Sequence, residues 1–142
     1  MIDLTDAYKL IKHYEKCHLT PYYCPAGKLT CGWGSTGIDV VLGVNWTQEY
    51  ADLRLKIHTE MCSKLILEIY QAINNAQHCA LVDFAYNLGF SRLKASTLGK
   101  KVKAGALEAA SKEFGRWVYG GGVKLNGLIL RRESERLLFQ AA

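Results

Sequence analysis

The chain has 142 residues, of which 49% are hydrophobic, and its formal net charge is +5. A chain of this size buries roughly two-thirds of its unfolded surface on folding, so we predict a single domain over residues 1–142. The hydrophobic content excludes a disordered protein. No apolar run reaches the roughly 18 residues of a membrane-spanning helix, and we expect no stable membrane insertion.

The charge balance favours an anionic partner, because 18 Lys and Arg residues exceed 13 Asp and Glu residues. The basic residues are spread over several segments and form no zinc-finger or RNA-recognition signature, so we expect no nucleic acid partner. The first ten residues contain two acids and no continuous apolar core, unlike a secretory signal. We expect the mature protein to begin near Met1 and to have no export route of its own.

The first predicted element is a helix over residues 4–16, in which Leu4, Tyr8, Ile11 and Tyr14 form one apolar stripe. Glu15 lies at the border of this stripe and in the last turn. Apolar neighbours and the helix dipole both raise the pKa of a carboxylate there, which is what a general acid requires. The alternative is a solvated Glu that pairs with a nearby Lys or with an Arg elsewhere in the chain.

Residues 21–39 show a different pattern, with both prolines of the chain and four glycines. Apolar side chains alternate around Thr30, which predicts a small irregular hairpin or three-stranded sheet. Cys24 and Thr30 lie on this segment.

The remainder is predicted to be helical. A helix from Asn45 or Thr47 to residues 74–75 would measure about 40 Å and act as a strut between two lobes with a cleft between them. Its apolar stripe is predicted to be core, and it runs through Tyr50, Leu53, Ile57, Met61, Leu65, Ile69 and Ile73. Further helices are predicted at 77–88, from residue 96 or 97 to 105, at 106–114 and at 126–140. We expect the charges of the last helix to form a solvated face.

Five cysteines are an odd number, and in a reducing cytosol we expect free thiols that are buried as small hydrophobic side chains. A disulfide among Cys17, Cys24 and Cys31, which are seven residues apart, stays open as an alternative. His13 and Cys17 are spaced to share a metal, but a tetrahedral set of ligands is not evident. We expect no metal and no cofactor.

Glu15, Cys24 and Thr30 are separated by eight and then five intervening residues. This places one acid at a helix end and two smaller polar groups on an adjacent hairpin. Such an arrangement suits cleavage of a glycosidic bond, in which the acid protonates the leaving oxygen and groups across a gap position a water.

The segment PYYCPAGKLTCGWGSTG closely resembles the T4-like phage-type lysozymes, the endolysin group. Members have a Glu, eight residues, an Asp or sometimes a Cys, five residues and then a Thr. Matching motifs occur in the same order along nearly the whole chain: Phe84 to Gly89, Ser96-Thr97-Leu98, Arg116-Trp117, Gly127-Leu128 and Arg131-Arg132.

The resemblance implies an α+β, mostly helical fold, with a small β-containing lobe and a helical lobe joined by a long helix. It implies hydrolysis of the β-1,4 bond between N-acetylmuramic acid and N-acetylglucosamine in bacterial peptidoglycan. Glu15 falls on the position of the acid, Cys24 on the second catalytic position and Thr30 on the water-orienting Thr. Substrate contacts would fall near Thr36, Tyr86 and Thr97, and an Arg of the last helix would pair with Glu15.

Two residues depart from the family pattern: Cys24 replaces the common Asp, and Ser35 follows Gly34 where His is frequent. A thiol is mostly neutral at pH 7, so Cys24 is a weaker base than a carboxylate unless its pKa is lowered. Three alternatives stay open: a lytic transglycosylase, a peptidoglycan-binding module with a degenerate site, and an enzyme silenced by a disulfide of Cys24.

The resulting expectation is a monomeric lysozyme that causes host cell lysis. It would accumulate in the host cytoplasm, need a separate holin-type pore and act on the cell wall in the periplasm.

Overall fold

A computed structural model describes residues 2–141, and the ends of the predicted domain, Met1 and Ala142, lie outside this range. Seven α-helices and two short antiparallel hairpins follow one another along the described chain. Their bounds are α1 Thr5–Glu15, β1 His18–Tyr23, β2 Leu29–Gly32, α2 Gln48–Ile69, α3 Asn75–Leu88, α4 Phe90–Ala95, α5 Thr97–Lys103, α6 Leu107–Ser111, β3 Tyr119–Gly120, β4 Val123–Lys124 and α7 Asn126–Gln140. A 3-10 turn at Phe114–Arg116 precedes β3. This mostly helical α+β architecture confirms the predicted fold class.

The first helix and the first hairpin follow each other directly. Lys16 ends α1 with a φ of +58°, the only positive φ of a non-glycine residue in the described chain, and so redirects the chain into β1. β1 and β2 pair in antiparallel register, with Tyr22 opposite Thr30. One hairpin, rather than three strands, occupies the predicted irregular segment.

The predicted strut is present as α2, although it is shorter than expected. Thr47 caps its first turn by accepting a hydrogen bond from the amide of Tyr50. The helix ends after 22 residues, which corresponds to about 33 Å at 1.5 Å per residue. A new helix, α3, follows after a short connection, and Asn74 caps it through a capping box that it forms with Gln77.

Two hydrophobic clusters lie along α2. The smaller one contains Ala51 from the first turn of α2, and its other members are Cys31, Val40 and Trp46. The larger cluster takes Leu55, Cys62 and Ile66 from the rest of the helix and packs them against α1, α3, α5 and α7. The helix therefore joins two separate cores, as a strut between lobes should.

The prediction for the apolar stripe of α2 is wrong in its N-terminal half. Tyr50, Leu53, Ile57 and Met61 are exposed, and the opposite face of the helix is buried. The buried face is less apolar, because it includes Thr59 and Ser63 beside the core residues. Periodicity identified the helix but selected the wrong face as core.

The prediction of a solvated charged face on α7 is also wrong. Arg131, Arg132 and Glu135 are among the most buried side chains of the described chain, whereas the ion pair of Glu133 and Arg136 is exposed. Buried charges are stable only when they are paired, and these three are paired within the large core.

All five cysteines are free thiols. Cys31, Cys62 and Cys79 are buried, and Cys17 and Cys24 are partly exposed. The expected burial as small hydrophobic side chains is therefore found for three of the five cysteines and not for Cys17 and Cys24. Between residues 2 and 141, no helix is long and apolar enough to cross a membrane.

Candidate active site

Glu15 occupies the last position of α1, where the helix delivers its side chain between α7 and the loop after β2. Its Oε2 accepts a hydrogen bond from Nη1 of Arg131 at 2.6 Å. The Glu15 side chain keeps 17% of its surface exposed, while that of Arg131 keeps only 4%. The acid is thus fixed from the protein side and open on another side.

Arg131 is itself fixed by Asp83 of α3 through two hydrogen bonds, from Nε to Oδ2 at 2.9 Å and from Nη2 to Oδ1 at 2.8 Å. This bidentate geometry holds the plane of the guanidinium group. Burial alone would lower the pKa of Arg131, but the carboxylates of Asp83 and Glu15 outweigh burial and raise it, so Arg131 stays cationic.

The ion pairs continue away from Glu15 into the core. Glu135 is fully buried, and burial together with its hydrogen bond to Asp83 raises its pKa well above the usual range. Burial would also raise the pKa of Asp83, but Arg131 lowers it below the ordinary value. Arg132 closes the network by donating to Asn87 and Glu135. The residues that hold Glu15 in place therefore belong to one hydrogen-bonded network between α3 and α7.

The backbone at Gly34 passes directly against the Glu15 carboxylate. A Cβ atom placed on Gly34 would lie 2.2 Å from Oε1 of Glu15, and the φ of Gly34 is +82°. Both the close approach and the positive φ require glycine at this position. Arg131 and Gly34 therefore flank the two oxygens of one carboxylate.

The loop segment that carries Gly34 is attached to α2 and α3. The hydroxyl of Tyr86 on α3 donates to the carbonyl of Trp33 at 2.6 Å, and Trp33 Nε1 donates to Asp52 of α2 at 2.8 Å. Tyr86 also stacks on His58 with ring centroids 4.3 Å apart. Tyr86 is buried, so in this structure its hydroxyl positions the backbone beside Glu15.

Cys24 and Thr30 are brought together by the first hairpin. Cys24 follows β1, and its amide donates to the carbonyl of Lys28. The same carbonyl accepts the hydroxyl proton of the buried Thr30 at 2.9 Å. One carbonyl therefore anchors the backbone of Cys24 and the side chain of Thr30.

The surroundings of Cys24 favour its thiolate. Burial would raise the pKa of the thiol, but the backbone amides of Lys28 and Ala26 and the hydroxyl of Thr30 together lower it below its ordinary value. The single hydroxyl proton of Thr30 donates to Lys28 in the structure, and rotation about the Cβ–Oγ1 bond would turn it to the sulfur. The departure from Asp is thus partly compensated by local hydrogen bonds.

Tyr22 links the acid and the hairpin. Its pKa is raised by burial and, to a smaller extent, by the negative charges of Glu15 and Cys24. Both charges therefore lie near the same phenol group on β1. Tyr22 also pairs with Thr30 across the hairpin, so this side chain lies opposite Thr30 and near both Glu15 and Cys24.

The other two sequence-predicted substrate contacts, Thr36 and Thr97, are exposed at the surface. Thr36 is exposed, and its carbonyl accepts a hydrogen bond from Arg54 of α2 at 3.1 Å. Thr97 is the exposed first residue of α5, just after Ser96, which caps that helix. Residues 2–141 contain no group of three or more side chains that could hold a metal ion.

Three residues of the site were not specified by sequence reasoning. That reasoning left the Arg partner of Glu15 open, and the structure identifies it as Arg131. Asp83 gave a usable signal, because a charged residue within the apolar run CALVDFAY is buried and requires a partner. Gly34 gave none beyond its place in a glycine-rich segment.

Known proteins share both the sequence and the fold. A sequence profile of the phage lysozyme family matches residues 12–135. An endolysin of Acyrthosiphon pisum secondary endosymbiont phage 1 is 36% identical over 138 residues, which cover 94% of each protein. A SAR-endolysin of Bacteriophage PS119 is 34% identical over 123 residues, which cover 86% of this chain and 74% of that protein.

A solved structure gives the same result. The active form of the P1 phage endolysin Lyz is similar with a TM-score of 0.83 at 26% identity, over 95% of this chain and 83% of that chain. Fold and site together define a glycoside hydrolase of the lysozyme class. The chain belongs to the phage lysozyme family. It acts on the peptidoglycan of the bacterial cell wall.

Proposed function

We propose that the chain is an endolysin in which Glu15 is the general acid for hydrolysis of the β-1,4 bond between N-acetylmuramic acid and N-acetylglucosamine. The observation that carries this proposal is the two-sided fixation of the Glu15 carboxylate. Arg131 donates to Oε2 and so orients the carboxylate, whose partly exposed side chain delivers the proton to the leaving oxygen.

Thr30 and Cys24 position the attacking water on the hairpin. The Thr30 hydroxyl lies beside the Cys24 sulfur and donates a hydrogen bond to the carbonyl of Lys28. The thiolate of Cys24 accepts a proton from the water, and its lowered pKa increases the thiolate fraction at neutral pH. Thr36, Tyr86 and Thr97 contribute to the walls of the substrate cleft, Tyr86 by holding the Trp33 carbonyl.

In the cell, the protein accumulates in the host cytoplasm and reaches the periplasm after a holin-type pore opens the membrane. The relative from Bacteriophage PS119 bears the name SAR-endolysin. Expression of the unmodified chain alone, without any pore protein, should leave cells intact. Lysis under those conditions would show that the chain reaches the wall by another route.

Analysis of the reaction products tests the chemistry. Purified peptidoglycan is digested, and the soluble fragments are analysed by mass spectrometry. We expect fragments that end in a hydrated, reducing N-acetylmuramic acid, because a water completes the reaction. Fragments that are lighter by one water would instead identify a lytic transglycosylase. Binding to insoluble wall without any soluble fragment would identify a binding module.

A further inference from the structure

The interlobe helix presents an unpartnered apolar stripe to solvent. Tyr50, Leu53, Ile57 and Met61 recur at spacings of three and four residues on the face opposite the buried one. They are 37%, 49%, 47% and 56% exposed, respectively. None of the four is a group of the candidate active site.

The loop between β2 and α2 extends this stripe. Four of its five aliphatic side chains are exposed, Ile38 completely so, whereas Val40 is buried in the smaller cluster. Asp39 Oδ2 accepts hydrogen bonds from the hydroxyl of Tyr50 at 2.7 Å and from Arg54 Nη1 at 2.6 Å. The loop is thereby attached beside the first half of the stripe. Asp39 is the only acid of the loop, and its carboxylate faces α2.

Together the stripe and the loop form one surface, here called the α2 face. It consists of Ile38, Val41, Leu42, Val44, Tyr50, Leu53, Ile57 and Met61. At roughly 100 Å² per side chain it offers about 800 Å², which is what one partner contributes to a standard interface. This exceeds the roughly 300–600 Å² of the largest apolar patch on a typical monomer.

We propose that the α2 face binds the same face of a second copy of this chain, with the two α2 helices antiparallel about a two-fold axis at Ile57. In this arrangement Ile57 meets its symmetry mate, and Leu53 of one protomer meets Met61 of its partner. An interface of this kind is isologous, so every contact occurs twice.

The charges beside the stripe fit this pairing. Glu49, Lys56, Glu60 and Lys64 lie within about 80° of arc on one flank of α2. None of the four forms an ion pair with another of the residues 2–141.

A two-fold axis perpendicular to both helices keeps each flank on its own side, so the flank of one protomer faces the same flank of its partner. Antiparallel pairing about Ile57 then places Lys56 opposite the Glu60 position of the second copy, and Glu49 opposite its Lys64 position. Opposite charges across an interface fix register and orientation.

The mixed charge of this flank favours a protein partner over a lipid surface. An apolar face that binds anionic lipid is usually bordered by Lys and Arg. Here Glu49 and Glu60 border the stripe as closely as the two lysines do. The sequence analysis expects a monomer and, separately, assigns this stripe to the core.

Sedimentation velocity over micromolar to near-millimolar concentrations tests the proposal. We expect a species of twice the 15.9 kDa chain mass that dissociates on dilution. Ile57→Glu should abolish the dimer, because two carboxylates would meet at the axis. Leu137→Glu is the matched control, since Leu137 is an exposed residue of α7, and it should dimerise normally. Circular dichroism establishes that both variants are folded.

A charge exchange tests the register. Lys56→Glu should weaken the dimer by about tenfold, and the double variant Lys56→Glu/Glu60→Lys should restore it. A wild type that is monomeric at every concentration would overturn the proposal, as would a dimer that Ile57→Glu leaves intact. A monomer that co-sediments with phosphatidylglycerol vesicles only when Ile57 is present would identify a lipid surface instead.

Discussion

At Gly34 the backbone runs so close to Glu15 that a methyl group does not fit. A Cβ atom would lie 2.2 Å from the Oε1 atom of the acid, and the left-handed φ adds strain. We expect Gly34→Ala to displace Glu15 and to reduce lytic activity by about 100-fold, because small misplacements of a catalytic group have effects of this size.

Gly105→Ala is the matched control for Gly34→Ala. Gly105 has a φ of +80° but no heavy atom within 4 Å of its Cβ position. Each substitution should lower the free energy of unfolding by about 1–2 kcal/mol through backbone strain. Only Gly34→Ala should lose activity, and equal losses in both variants would contradict a specific contact with Glu15.

Cys24 gives a prediction about pH. Because the thiolate is the proposed base, wild-type activity should rise with pH as the solution approaches the pKa of Cys24, which lies below its ordinary 9.0. Cys24→Asp carries a carboxylate that is already ionised at pH 6, so its activity should reach a plateau at lower pH. Cys17→Ser should keep the wild-type profile. Superimposable profiles of wild type and Cys24→Asp would exclude the thiolate as base.

At the scale of elements, α3 and α7 act together through Asp83 and Arg131. Asp83→Asn removes the charge that pairs with a buried guanidinium group and should lower the free energy of unfolding by about 3 kcal/mol. Activity should fall as well, because Arg131 would no longer hold Glu15. Glu133→Gln breaks an exposed ion pair of the same helix and should change little, as urea unfolding would measure.

The same pair has a defined pH dependence. Arg131 holds the pKa of Asp83 below its ordinary 3.8. The stabilisation that the pair gives to the fold is therefore complete above pH 3.8 and is lost as the pH falls below it. Asp83→Asn should therefore unfold with a weaker acid dependence below about pH 4 than the wild type. An unchanged acid dependence would show that Asp83 doesn't carry this effect.

Most elements were predictable from the sequence, because caps and glycines are local signals. Thr47, Ser96 and Gly89 mark helix ends where the structure has them. The buried side of α2 was not predictable from periodicity, since its apolar residues occupy the exposed face and its core face includes Thr59 and Ser63. The burial of Arg131 was missed because its partner Asp83 is 48 positions away in the chain, and that of Glu135 was missed although its partner Arg132 is only three residues away.

The site was only partly predictable, because some of its contacts join residues that are distant in the sequence. Spacing and resemblance selected Glu15, Cys24 and Thr30, and their roles stay predictions until they are tested. The Arg131–Asp83 pair depends on a contact between residues 48 positions apart. A single sequence contains no direct signal for a contact at that separation.

At the scale of the whole molecule, the net charge is concentrated in one region. Residues 90–116 contain seven Lys or Arg and two Asp or Glu, so this segment alone accounts for a charge of +5, the value for the entire chain. We expect Lys100→Gln combined with Lys103→Gln to weaken binding to the anionic wall, and the difference from wild type to vanish at high salt. Pull-down with insoluble peptidoglycan measures this, and Lys9→Gln serves as an exposed control.

Turbidity clearing of Gram-negative cells stripped of their outer membrane tests the central claim most directly. Wild type, Glu15→Gln and Cys24→Ser are compared at equal concentrations after circular dichroism has established that each is folded. We predict clearing by the wild type, none by Glu15→Gln, and partial clearing by Cys24→Ser. Clearing by Glu15→Gln at the wild-type rate would contradict the assignment of Glu15 as the general acid.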